Sequence, residues 1–154
     1  FAKVCRRLAT LGGNARGDAE GRAAAARLAG RVYAAFDPRG ADDVDFVEVA
    51  AGLATLAPAS MDDKIEAAFA LYDVTRGGVA RPELAAYLLA VYRVLQSCSA
   101  NLAGRIHHAG GPAKLADDTS RACFKAKALP DDAALDVQLF KEFVCEGISR
   151  AYEI

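Results

Sequence analysis

Apolar residues recur three and four positions apart along most of the chain, which is the spacing of one face of an α-helix. Hydrophobic residues make up 53% of the 154 residues, and many of them are alanine, which favours helix and buries little surface. We therefore expect an all-α protein in which the helices approach one another closely. The recurring positions are Leu28, Val32, Tyr33 and Phe36, then Ile65, Ala68, Phe69 and Tyr72, then Leu84, Tyr87, Leu88, Val91, Tyr92 and Leu95, and finally Val137, Phe140, Phe143, Val144 and Ile148.

Glycine and proline interrupt this pattern and divide the chain. Gly12 to Gly17 form a flexible break, Pro58 ends a helix, and Gly110-Gly111-Pro112 marks a turn. The predicted division is an N-terminal helix with a flexible segment over residues 1–21, two helix–loop–helix units over 22–97, a linker over 98–112, and a further helix–loop–helix unit over 113–154.

The stretch from Phe36 to Leu56 (FDPRGADDVDFVEVAAGLATL) joins two apolar helices through polar residues. A twelve-residue calcium loop needs oxygen ligands at its first, third and fifth positions, glycine at the sixth and glutamate at the twelfth. Arg39 and Ala41 occupy the third and fifth positions and Asp42 the sixth, so calcium binding should be weakened by several orders of magnitude. Our preferred interpretation is a structural loop with solvated carboxylates. The residual ligand positions hold Asp37, Asp43, Asp45 and Glu48.

Two later segments repeat this frame with poorer ligands. The second loop begins at Asp73 (DVTRGGVARPEL) and has Gly78 at the sixth position, but Glu83 arrives one residue early. A shortened loop cannot wrap calcium in the usual geometry, so this site is predicted to be inactive. The third loop, aligned on the flanking apolar residues, holds Ala128, Pro130, Asp132, Ala134 and Leu139 at its ligand positions and cannot bind calcium.

The phrases DFVEVAAGL, DDKIEAAFALYD and RPELAAYL resemble the EF-hand superfamily, especially the branch of calcineurin B, the neuronal calcium sensors and the ciliary sensor calaxin. The resemblance is clear from Leu28 to Leu95 and weaker from Leu115 to Ile148, and residues 1–21 could hold a vestigial first hand. It implies paired EF-hands in two helical lobes, each with an apolar groove that accepts a partner helix. Hands without calcium persist in this family as structural modules. The predicted groove residues are Phe36, Leu53, Phe69, Leu88, Tyr92 and Phe140.

Two functional hypotheses follow from this resemblance. Our preferred hypothesis is a non-catalytic structural or adaptor subunit that grips a partner helix in a larger complex and needs no cofactor. The alternative is a calcium sensor or regulatory subunit with one weak site between Asp37 and Glu48. No GxSxG, HExxH or phosphate-binding motif supports an enzyme.

Charge and composition narrow the partners and the location. The net charge of -1 and the pI near 6.1 argue against a nucleic-acid surface. No apolar run approaches the roughly 20 residues that a membrane span needs, and cysteines without CxxC spacing indicate reduced thiols. We expect a cytoplasmic protein; family analogy suggests a cytoskeletal or axonemal complex, and an organelle is left open. The start at Phe1 is consistent with a fragment or processed form that lacks an upstream targeting segment.

Overall fold

The computed structural model describes residues 19–37, 40, 44–74 and 77–153. Most of the segment 1–21, with its predicted N-terminal helix and vestigial hand, lies outside these ranges. The regular structure in the described ranges is helical, with one isolated antiparallel bridge, and the prediction of an all-α protein is confirmed. The helices are α1 (Ala19–Phe36), α2 (Phe46–Ala54), α3 (Met61–Tyr72), α4 (Arg81–Cys98), α5 (Ala100–His108), α6 (Pro112–Ala126) and α7 (Val137–Glu153).

Local sequence signals explain several of the helix starts. Asp45 caps α2, because its carboxylate accepts the backbone N–H of Glu48 at 2.9 Å. Ser60 caps α3 by accepting the N–H of Asp63 at 3.1 Å, and its hydroxyl donates to the Asp63 carboxylate at 2.7 Å. Each cap satisfies backbone donors that lack partners inside the helix. Pro82 lies in the first turn of α4, where its missing N–H does no harm.

Helix α4 is the centre of the fold and packs against the other six described helices. It is apolar around most of its circumference, which is typical of a helix buried on all sides. Leu84, Leu88 and Tyr92 have no exposed surface, and neither do Ala90 and Val94 on another side of the helix. The core is therefore organised around one helix.

The loops before α4 and before α7 lie side by side. Val79 and Leu135 form an antiparallel bridge, in which each backbone N–H donates to the other residue's carbonyl, at 3.1 and 2.8 Å. Arg81 strengthens this junction by pairing with Asp117 of α6 at 2.9 Å and Asp131 of the third loop at 3.0 Å. The bridge joins the second and third predicted loops, so this contact crosses the predicted linker at 98–112.

The predicted linker contains a helix that the sequence pattern did not indicate, because residues 100–108 form α5. Ser99 caps this helix by accepting the N–H of Leu102 at 3.4 Å. Leu102 and Ile106, four residues apart, are buried on its inner face. Two apolar positions are too few to produce a clear periodic signal in the sequence, although they suffice to hold a short helix against the core.

Candidate functional site

The predicted first calcium loop contributes two carboxylates with clear structural roles. Asp45 caps α2, and Glu48, in the first turn of that helix, forms an ion pair with Arg93 of α4. Asp37 directly follows α1, and its backbone N–H donates to the Tyr33 carbonyl at 3.0 Å. Asp43 lies outside the described residues. One carboxylate oxygen of Asp45 and one of Glu48, both predicted residual calcium ligands, are thus already engaged within the protein.

Arg93 places a positive charge against Glu48, the twelfth residue of the predicted first loop. Its guanidinium contacts Glu48 Oε1 and lies 5.8 Å from the centre of the Phe36 ring. Only 18% of the Arg93 side chain and 20% of the Glu48 side chain are exposed. A guanidinium offers several fixed donors to a carboxylate. Arg93 therefore connects α1, α2 and α4 through one side chain.

The surroundings of this ion pair shift two protonation equilibria. Burial raises the pKa of Glu48 above its ordinary value of 4.5, and the Arg93 charge offsets only part of that effect. Burial, followed by the negative charges of Glu48 and Asp45, also raises the pKa of the Tyr72 hydroxyl. That hydroxyl oxygen is buried and has no hydrogen-bond partner among the described residues. Tyr72 is the last residue of α3, and its ring contacts the ring of Tyr87 in α4.

Replacing Arg93 with methionine should destabilise the fold, because Glu48 would be left charged in a mostly buried position. We expect a loss of about 2 kcal/mol, below the ~3–5 kcal/mol for a fully buried pair, because part of each side chain is exposed. Glu48→Gln should cost less than about 1 kcal/mol, since its amide oxygen still accepts from Arg93. Urea unfolding of both variants and of the double variant measures the coupling. Equal effects of Arg93→Met with and without Glu48→Gln would contradict this interpretation.

The raised pKa of Glu48 predicts a definite pH dependence. The folded protein holds the Glu48 proton more tightly than the unfolded chain, so this contribution to stability is complete below pH 4.5. It is lost as pH rises through the raised pKa of the folded state. The unfolding free energy of the wild type minus that of Glu48→Gln should therefore fall as pH increases from acid to neutral. A difference that grows over this range would contradict the prediction.

The residues predicted to line a partner groove are mostly inside the protein. Phe36, Leu88, Tyr92 and Phe140 are buried, and Leu53 and Phe69 are partly buried. Helix α7 covers part of this set, because the Tyr92 hydroxyl donates to the Gly147 carbonyl at 2.8 Å. A methyl group on Gly147 would lie 2.7 Å from a terminal carbon of Leu88. A partner helix would have to displace α7 to reach Leu88 and Tyr92.

The second and third loops also use their carboxylates internally. Asp73 accepts the backbone N–H of Gly78 at 2.9 Å, and Asp136 caps α7 by accepting the N–H of Leu139 at 2.8 Å. Within the described ranges, no three His, Cys, Asp or Glu side chains are grouped so that they could hold a metal ion. Nor does any helix in those ranges combine the length and the apolar character that crossing a membrane requires.

Sequence reasoning missed Arg93, the residue that engages Glu48. Its signal is a single arginine between Tyr92 and Val94, in a stretch of α4 whose neighbouring positions are mostly apolar. A charged residue in such a helix usually needs a specific partner.

Comparisons of this chain with protein-family models, with curated proteins and with solved structures found no match.

Proposed function

We propose that this chain is a non-catalytic EF-hand-type adaptor with largely inactive calcium loops, which binds a helix of a partner protein within a larger complex. The observation that carries the proposal is the ion pair between Arg93 and Glu48. Glu48 is the predicted bidentate ligand of the first loop, and a calcium ion would have to displace the guanidinium to reach it. A binding role that does not depend on calcium fits this arrangement best.

The geometry of the second and third loops supports an EF-hand-type frame. The Asp73 carboxylate reaches across its loop to the N–H of Gly78, which has a φ of +103°. This side-chain bond holds the turn where a metal ion would otherwise organise it. The adjacent bridge between Val79 and Leu135 holds the two loops together without any ion. Both contacts favour a fold whose stability is independent of calcium.

The burial of the predicted groove changes where a partner would bind. Helix α7 lies over Leu88 and Tyr92, so the chain itself already covers these two residues of the predicted groove. An adaptor of this kind would use an exposed helix face or exchange α7 for the partner. A cytoplasmic cytoskeletal or axonemal complex remains our proposed setting, by family analogy.

One observation favours the alternative of a sensor with a single weak site. The buried Tyr72 hydroxyl lacks a partner among the described residues and is influenced by the charges of Asp45 and Glu48. Buried hydroxyl groups without partners are uncommon, and an ion or a water molecule can satisfy them. A cation bound by the first loop would alter this environment, whereas a structural loop would keep it constant.

A calcium titration followed by calorimetry separates the two functions. Chelator-treated protein, with magnesium as competitor, should give no heat up to millimolar calcium, and its unfolding temperature should be the same in calcium and in chelator. Tagged protein should then retain the same partner from its source cells under both conditions. A micromolar site that Glu48→Gln abolishes would overturn calcium independence and establish the sensor. Failure to retain any protein in either condition would overturn the adaptor function.

A further inference from the structure

Helix α1 presents a face that no described helix covers. Its buried side chains, Val32 and Phe36, lie in its last two turns and pack toward α4. On another side, Ala24, Arg27, Leu28 and Arg31 are all exposed, and they recur at the three- and four-residue spacing of a single helix face. We call these four residues the α1 face. Leu28 is 37% exposed although it continues the stripe that ends in the buried Val32 and Phe36.

The arginines of this face differ from most others in the structure. Arg81, Arg93, Arg121 and Arg150 each form an ion pair with a carboxylate. No carboxylate among the described residues forms an ion pair with Arg27 or Arg31. Because these two residues are four apart on one helix, their guanidinium groups flank the same surface. The α1 face therefore combines an apolar centre with two cations whose ion-pairing capacity is unused within the described structure.

From this combination we infer that the α1 face docks an acidic amphipathic helix of a partner protein, a step that rests on the proposed adaptor function. Carboxylates four residues apart on the partner would match Arg27 and Arg31, and Leu or Ala between them would cover Leu28. Arginine is well suited to this contact because it binds carboxylates through two parallel hydrogen bonds. The alanine at position 24 allows a second helix to approach closely, since it adds little bulk between two helix axes.

Charge argues against the chain's own N-terminal residues as the occupant. Residues 1–18 contain four basic side chains and one acidic side chain. Such a segment would meet Arg27 and Arg31 with like charge, which is unfavourable across an interface. The charge of Arg27 and Arg31 instead favours an acidic partner, and this electrostatic attraction should weaken as salt screens it. The proposal therefore specifies that the partner helix carries negative charge where it meets the α1 face.

Two synthetic amphipathic helical peptides test this assignment by fluorescence anisotropy. One carries Glu beside a Leu and Ala face, and the other has Lys in place of every Glu. Wild-type full-length protein should bind the Glu peptide, more weakly at high salt, and Arg27→Glu with Arg31→Glu should weaken binding about tenfold or more. Lys125→Glu, an equal charge change per site on the exposed surface of α6, should change it less than about twofold. Leu28→Ser should weaken binding, whereas Val74→Ser, at another exposed apolar residue, should not.

Several results would overturn the assignment. These are binding of neither peptide, equal binding of both, or equal effects of Lys125→Glu and of single Arg31→Glu. If the wild type forms a dimer that dissociates when both arginines are replaced, the occupant of the α1 face is a second copy of the chain and not an acidic partner. A cellular partner that is retained equally by the wild type and the double variant would rule out the α1 face as the docking site but leave the adaptor function intact. Failure of the wild type to retain any partner would instead refute the adaptor function itself.

Discussion

Phe140→Ala should destabilise this protein more than any other single substitution considered. Phe140 is fully buried, and its ring centre lies 5.5 Å from that of Phe69 and 5.3 Å from that of Tyr87. It therefore joins α7 to both α3 and α4. Truncation to alanine removes this burial and leaves a cavity, at a cost of about 3–5 kcal/mol. For a domain of this size the melting temperature should fall by roughly 10 °C.

Two controls on the same helix make this result interpretable. Phe140→Leu keeps most of the volume and should cost less than about 1.5 kcal/mol. Tyr152→Ala removes an aromatic ring that is 54% exposed, and should change stability by about 0.5 kcal/mol or less. Chemical unfolding of the three variants gives the comparison. Equal losses for Phe140→Ala and Tyr152→Ala would mean that α7 does not pack in the core as described.

Gly78→Ala should produce the second-largest loss, through backbone strain and a collision together. Gly78 has a φ of +103°, a conformation that residues with a Cβ rarely adopt. A Cβ there would lie 2.6 Å from the Leu135 carbonyl oxygen and 2.9 Å from the Cβ of Ala134. The added methyl group would push apart the two loops that the Val79–Leu135 bridge connects. We expect a cost of about 3 kcal/mol or more.

Gly40→Ala is the matched control, because Gly40 also has a positive φ, +64°, but a Cβ at this position would meet no neighbouring atom within 4 Å among the described residues. Gly40→Ala should therefore lower the unfolding free energy only through the unfavourable positive φ, by about 1 kcal/mol. Hydrogen exchange adds a local readout. In Gly78→Ala the amides of Val79 and Leu135 should exchange faster, since each donates across the bridge. Unchanged protection of both amides would show that the loops accommodate the methyl group.

Much of the fold could be predicted from spacing along the chain. The apolar periodicity of α3, α4 and α7 and the Ser60 cap of α3 are local features, so the sequence is enough to locate them. Gly78, at the glycine position of its predicted loop, has a positive φ, whereas the bridge between Val79 and Leu135 was not predicted. Helix α5 was missed because two buried residues, Leu102 and Ile106, produce too weak a pattern. The two-lobe EF-hand pairing stays a prediction.

The candidate site depended more strongly on contacts distant in sequence. Glu48 and Arg93 are 45 residues apart, and Tyr92 and the Gly147 carbonyl are 55 apart. No periodic pattern indicates which arginine will meet which carboxylate, or that α7 will cover Leu88 and Tyr92. The sequence by itself determined the all-α class and most of the helices, because these follow from residue types at fixed local spacing. Only the tertiary structure decided that Arg93 engages Glu48 and that α7 covers Leu88 and Tyr92, because both outcomes depend on how whole helices pack against α4.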